Sequence, residues 1–169
     1  MRLTFSHSHC KNTEIFDEQD RQLYTVSTPS EWHEKTTITK HPRHGDRTSE
    51  VLAEIEWHFF HEDLIKFGGQ DLEADTLLEQ RNWSTGRYFT GPDGRSYKWK
   101  HDPRHCWLKE DVEGSDVELA KFHPRNAGWN KPEHPPYLEV SDSLEHMLDL
   151  IIITFIYVEK LRHDEHHDR

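Results

Sequence analysis

Cysteine is nearly absent. The 169 residues hold two, Cys10 and Cys106, too few for the disulfide framework on which small secreted domains rely. No apolar leader follows Met1-Arg2-Leu3-Thr4-Phe5-Ser6-His7, so secretion is not expected and the expected compartment is the cytoplasm. Apolar residues are also scarce, at 33% of the chain against 31% charged. They must be gathered into a few segments if they are to offset the entropy of ordering the chain. The longest apolar stretch, residues 147–158, is far shorter than the roughly 20 residues that cross a bilayer. There is no phosphate-binding glycine loop, nucleophile elbow or dinucleotide fingerprint. A cationic surplus is missing too: 21 basic against 32 acidic side chains give a formal charge of -11. That balance argues against nucleic acid as a partner and disfavours an anionic membrane surface, since both attract a cationic footprint.

What the chain has in excess is histidine. Its 15 imidazoles make the net charge depend strongly on pH between about 5 and 8.

The length fits one domain with one core. Residues 1–22 are polar and without a sustained period, which predicts an irregular leader holding at most a short strand at residues 2–5. Residues 24–29 and 35–40 are rich in β-branched and aromatic types between turn-forming clusters, and are expected as strands. Residues 51–59 alternate, placing Ala53, Ile55, Trp57 and Phe59 on one face and Glu54, Glu56 and His58 on the other. A strand over residues 63–69 should pair with it, and residues 70–83 suit a short helix or a crossing loop. Two hairpins follow. In the first, Gly91-Pro92-Asp93-Gly94 joins strands around residues 88–100; in the second, residues 112–115 join strands around 106–109 and 117–122. A last strand is expected at residues 137–140.

The ending differs in kind. Asp142 with Glu145 three residues later starts a capping-box pattern, and apolar residues then run almost unbroken to Val158. The run predicts a helix over about 142–160 that is apolar all round and therefore buried all round. The β-branching of Ile151, Ile152, Ile153 and Val158 would suit a strand instead; length and the cap favour helix. Residues 161–169 read as a charged, histidine-rich tail that frays, so that deleting residues 159–169 is expected to leave the melting temperature nearly unchanged.

Ala53-Glu54-Ile55-Glu56-Trp57, the segment from Phe89 through Gly91-Pro92-Asp93-Gly94 to Trp99, Cys106-Trp107-Leu108-Lys109, Pro136-Tyr137-Leu138-Glu139-Val140 and the helix over residues 147–160 together resemble a family of fungal proteins. That family is best known from basidiomycetes and carries a domain of unknown function. It is in turn similar to the tubby, LURP-one and phospholipid-scramblase superfamily. The resemblance implies a mainly β domain over residues 23–160, a closed antiparallel barrel around a hydrophobic C-terminal helix. Many short strands ending in one apolar helix point the same way, because a closed sheet can bury that helix on every side.

Three constellations carry candidate chemistry. Glu54, Glu56 and His58 put three titratable groups on one strand face, which suits acid-base work or cation binding; the alternative is a solvated face paired across the sheet with Lys98 and Lys100. His7, His9 and Cys10, joined by His105 and Cys106 if the N-terminal segment folds back, offer ligands for zinc or copper; the alternative is an incidental histidine-rich surface. Cys106 beside His105 does not make a nucleophile pair, because strand neighbours point to opposite faces, and Cys106 reads as core. Trp57, Phe59, Trp99 and Trp107 line a pocket or fill the core.

The leading expectation is a non-enzymatic intracellular binding or scaffold module that needs no cofactor and whose ligand or protein partner the residues do not specify. A metal-binding protein or enzyme built on the histidine, cysteine and glutamate clusters is the alternative. Recognition of membrane phospholipid, by analogy with tubby-like domains, is a further one.

Overall fold

The computed structural model describes residues 1–29, 34–43, 48–81, 85–128 and 132–167. Among these, thirteen strands form one antiparallel sheet. They are β1 (Arg2–Phe5), β2 (Thr13–Phe16), β3 (Gln22–Ser27), β4 (Lys35–Lys40), β5 (Glu50–Glu56), β6 (Leu64–Phe67) and β7 (Gln70–Glu73). After a one-turn helix α1 (Ala74–Leu77) come β8 (Glu79–Gln80), β9 (Arg87–Thr90), β10 (Ser96–His101), β11 (Cys106–Glu110), β12 (Glu118–His123) and β13 (Tyr137–Val140). A 3-10 turn (Asp142–Met147) leads into α2 (Leu148–His167).

The strands form where polar and apolar residues alternate. In β5 Ala53 and Ile55 are buried while Glu54 and Glu56 face outward; in β10 Tyr97 and Trp99 are buried between Lys98 and Lys100. The first hairpin closes as its turn residues demand: the Gly91 amide donates to the Arg95 carbonyl at 2.8 Å, and Gly94 sits at φ 78°. Gly91 also passes close to the core, since a Cβ there would lie 3.0 Å from Met147 Sδ.

The N-terminal leader is not irregular. β1 lies at the centre of the sheet between β2 and β13, with Leu3 opposite Leu138 and Phe5 opposite Ile15. Leu3 and Ile15 are fully buried. Two four-residue strands separated by a polar turn are too short to show a period, yet β1 buries Leu3 and Phe5, and β2 buries Thr13 and Ile15.

α2 is enclosed. From Leu148 to Val158 every described side chain except half-buried Asp149 is buried. Phe155 packs against Phe5 of β1 at 5.6 Å, Phe122 of β12 at 5.0 Å and Trp99 of β10 at 5.9 Å between ring centroids. Tyr157 stacks on Trp57, just past β5, at 5.3 Å. The only hydroxyl in this stretch besides Tyr157, that of Thr154, donates to the Leu150 carbonyl at 2.8 Å and accepts the Trp99 indole N–H at 2.9 Å. Strands from both halves of the sheet thus bend round one helix. Magnitudes explain why isoleucines stay helical here: β-branching costs at most about 0.7 kcal/mol per residue, whereas burying each side chain returns about 1.5–3 kcal/mol. The cap sits one residue earlier than the expected Asp142, at Ser141, whose hydroxyl accepts from the Ser143 amide.

The expected closed barrel is corrected by the strand order, which runs β7-β6-β5-β4-β3-β2-β1-β13-β12-β11-β10-β9-β8 and stays open. Among the described residues no ladder joins β7 to β8. The segment expected as helix or crossing loop supplies four residues to β7, which pairs with β6, and two to β8, which pairs with β9, and its last two, Asn82 and Trp83, lie outside the described residues. α1 stands between the two ends instead: Ala74 and Leu78 are fully buried, and Arg87 of β9 pairs with Asp75. No described helix is long and apolar enough to cross a membrane.

The expected fraying tail is likewise corrected. α2 continues to His167, because Glu159 and Arg162 form a buried ion pair at 2.6 Å and Arg162 donates to the Pro103 carbonyl at 2.8 Å. Removing one partner strands a buried charge. Arg162→Ala should therefore cost about 3–5 kcal/mol in urea denaturation, and deletion of residues 159–169 should lower the melting temperature sharply rather than leave it unchanged.

Candidate functional site

The strand-face trio does not assemble. β5 ends at Glu56, and the chain then turns, with the His58 amide donating to Asp63 at 2.7 Å and the His58 ring bonded to the Glu62 carbonyl at 2.9 Å. Glu54 pairs with Lys35 of β4 at 2.7 Å and Glu56 with Lys66 of β6 at 2.8 Å, rather than with Lys98 or Lys100. Hydrogen bonding to Lys66 holds the Glu56 carboxyl below the usual carboxylate range, which suits an ion pair and not a proton donor. The same turn carries Phe59 outward. Phe59 and Phe60 are 94% and 92% exposed, and Trp107 is only half-buried, so of the four aromatics expected inward only Trp57 and Trp99 are buried.

The N-terminal segment does fold back toward the Cys106 hairpin, but it brings the cysteines and not the histidines. Cys10 and Cys106 are both buried near the Glu159–Arg162 pair, with Cys10 Sγ 3.9 Å from the Ile156 carbonyl. Burial, reinforced by Glu159, pushes both thiols up, favouring the protonated form. His7 bonds Ser6 at 2.9 Å, His105 pairs with Asp102 at 3.3 Å, and His9 packs edge-on to His163 at 5.4 Å.

Among the described residues the grouping with metal-ligand geometry is a different one: His101 at the end of β10, with Glu165 and His166 of α2, whose ligand atoms all lie within 4.8 Å of one another. The His101 side chain is 4% exposed, its Nε2 is 3.9 Å from Glu165, and its Nδ1 is buried without a hydrogen-bond partner among the described residues. Burial pushes this imidazole's pKa down, favouring the neutral ring. Sequence reasoning missed it because residues 101 and 165 meet only through the fold; the signal available was the helical pair Glu165-His166 inside a run taken for tail.

At the opposite end of α2 a groove of about 990 Å³ opens between β3, β4 and the start of the helix. Its charged floor is the chain Tyr24–Asp149–Lys40, in which the Tyr24 hydroxyl donates to Asp149 at 2.6 Å and Lys40 pairs with the same carboxylate at 2.6 Å. Burial and the Asp149 carboxylate raise the Tyr24 phenol, keeping it a donor. Arg43 pairs with Glu145 at 3.2 Å across the groove, and Leu23, Pro42 and Leu148 supply apolar wall. On the rim His146 lies 3.5 Å from Asp93, which accepts the Tyr97 hydroxyl at 2.6 Å.

The Tyr97 bond holds the Asp93 carboxyl below its ordinary value of 3.8. A group depressed on folding binds fewer protons in the native than in the unfolded chain, so its stabilisation is present above that value and lost as pH falls through the native one. Tyr97→Phe should therefore lower stability at pH 7 by an amount that shrinks below about pH 3.8, as urea titrations at the two pH values would show.

A family model described as a family of unknown function (DUF6593) matches residues 8–164. No curated protein and no solved structure matches the chain.

Proposed function

We propose, on the premise that this chain belongs to the DUF6593 family, that it is a non-enzymatic binding module whose ligand docks in the groove at the N-terminal end of α2. The observation that carries this reading is the groove itself, a wide opening whose floor joins Asp149 of the helix start to Tyr24 of β3 and Lys40 of β4. Among the described residues the interior is filled by α2 and its aromatic neighbours. Charges of both signs line the groove and pair within it, Lys40 with Asp149 and Arg43 with Glu145. A ligand that exchanges these pairs must itself carry both signs, which fits a mixed-charge peptide segment of a protein partner better than a polyanion. Two buried thiols without a disulfide support a reducing, cytoplasmic setting. The enclosure of an apolar helix by antiparallel strands supports kinship with tubby-like domains, with α1 standing where a closed barrel would pair the edge strands β7 and β8.

Selection of displayed random peptides against the protein tests the reading. Enriched peptides should carry both charges and bind Arg43→Glu at least about tenfold more weakly, a loss of about 1.4 kcal/mol. Arg43 is a surface residue, so folding is not at stake. Peptides indifferent to Arg43→Glu would place binding elsewhere.

A specific observation favours membrane phospholipid as a second reading. Phe59 and Phe60 project side by side from the β5–β6 turn, and adjacent exposed phenylalanines suit insertion among lipid headgroups. Flotation with vesicles of mixed neutral and anionic phospholipid should then be lost in the Phe59→Ser, Phe60→Ser double variant. Equal flotation of both proteins, or of neither, removes this reading.

A further inference from the structure

We propose that His101, Glu165 and His166 form a zinc site at the C-terminal end of α2, distinct from the groove at the helix's other end.

Four observations converge. The first is the donor set. Two imidazoles and one carboxylate make the three-ligand shell that zinc accepts while leaving a fourth position to water or to a ligand. The second is spacing. Ligand atoms about 2.0–2.1 Å from a tetrahedral zinc lie roughly 3.3 Å apart, and the three here already fall within 4.8 Å of one another. Small rotations of Glu165, half-exposed at 52%, and of half-buried His166 close the difference, while His101 is held by its surroundings.

The third observation is the state of His101. Its ring is almost wholly enclosed and therefore held in place, and the nitrogen it turns toward Glu165 is Nε2. The His101 Nε2 and the Glu165 carboxylate, 3.9 Å apart, are too far from each other for a direct hydrogen bond and leave room for an ion between them. The fourth is the field. The last carbonyls of α2 point toward this end of the helix and carry its partial negative charge, which favours a cation beside Glu165.

The site also accounts for the helical course of residues that read as tail. Zinc bridging β10 to the last turn of α2 would tie the helix end to the sheet beyond the Glu159–Arg162 pair. The buried thiols of Cys10 and Cys106 are not among the side chains whose ligand atoms converge here.

The test uses full-length protein without an affinity tag, titrated with zinc against a chromogenic chelator. Histidines are abundant, so the control is the double variant His58→Gln, His61→Gln, which removes two exposed imidazoles elsewhere. One zinc per chain, retained in the control and weakened at least about tenfold in His166→Gln, is the expected result. His166→Gln carries the test because its side chain is not enclosed; His101→Gln should behave the same way provided its circular dichroism is native. Cobalt in place of zinc should give intense visible absorption of a four-coordinate centre in wild type and lose it in His166→Gln. Unchanged zinc affinity in His166→Gln, several weak equivalents spread over the variants, or no binding at tens of micromolar zinc overturns the proposal.

Discussion

Everything in this molecule depends on the enclosure of one helix. α2 has no polar face from Leu148 to Val158 apart from Asp149 and Thr154, and each of these is tied to the sheet, Asp149 to Tyr24 and Lys40 and Thr154 to Trp99. A helix of that composition has no stable existence in water, and the strands have no other body of apolar surface large enough to organise them. Sheet and helix are therefore parts of one cooperative unit. Phe155, touched by β1, β10 and β12 at once, marks the point where the halves of the sheet meet through the core.

The helix also sorts the chemistry of the surface. Its first turn carries Asp149 into the groove among Lys40, Arg43 and Glu145, and its last turn carries Glu165 and His166 toward His101. Both candidate sites lie where the buried segment emerges, because there a rigid backbone can hold polar side chains that the apolar middle cannot accommodate. The outward strand faces, by contrast, are occupied by reciprocal pairs such as Glu54–Lys35 and Glu56–Lys66. A strongly acidic chain thus presents locally balanced surfaces.

Much of the fold was legible in the residues. β4 falls where the Thr-rich run placed it, the Gly91-Pro92-Asp93-Gly94 hairpin closes as its turn residues require, and α2 follows the apolar run despite its isoleucines. What escaped reading was local structure enforced from a distance. β1 and β2 are too short to carry a period and exist because β13 and β3 pair with them. Phe59 continued the alternation of β5 on paper, but Asp63 accepts from both the His58 amide and the Tyr157 hydroxyl, and that carboxylate turns the chain outward. Glu159 and Arg162 looked like the start of a solvated tail because a buried pair three residues apart has the same letters as an exposed one. The candidate sites were the least legible, since the groove joins Tyr24, Lys40 and Glu50 to Glu145 and Asp149, and the histidine cluster joins His101 to Glu165 and His166.

The central place of β1 has a consequence for biosynthesis. Its neighbour on one side is β13, so a strand translated among the first residues must wait for one more than 130 positions later before its ladder is complete. The helix that fills the interior is translated later still. No fragment that stops short of α2 can hold a finished core, and the growing chain must pass through a stage with open strand edges, the condition in which nascent proteins recruit chaperones.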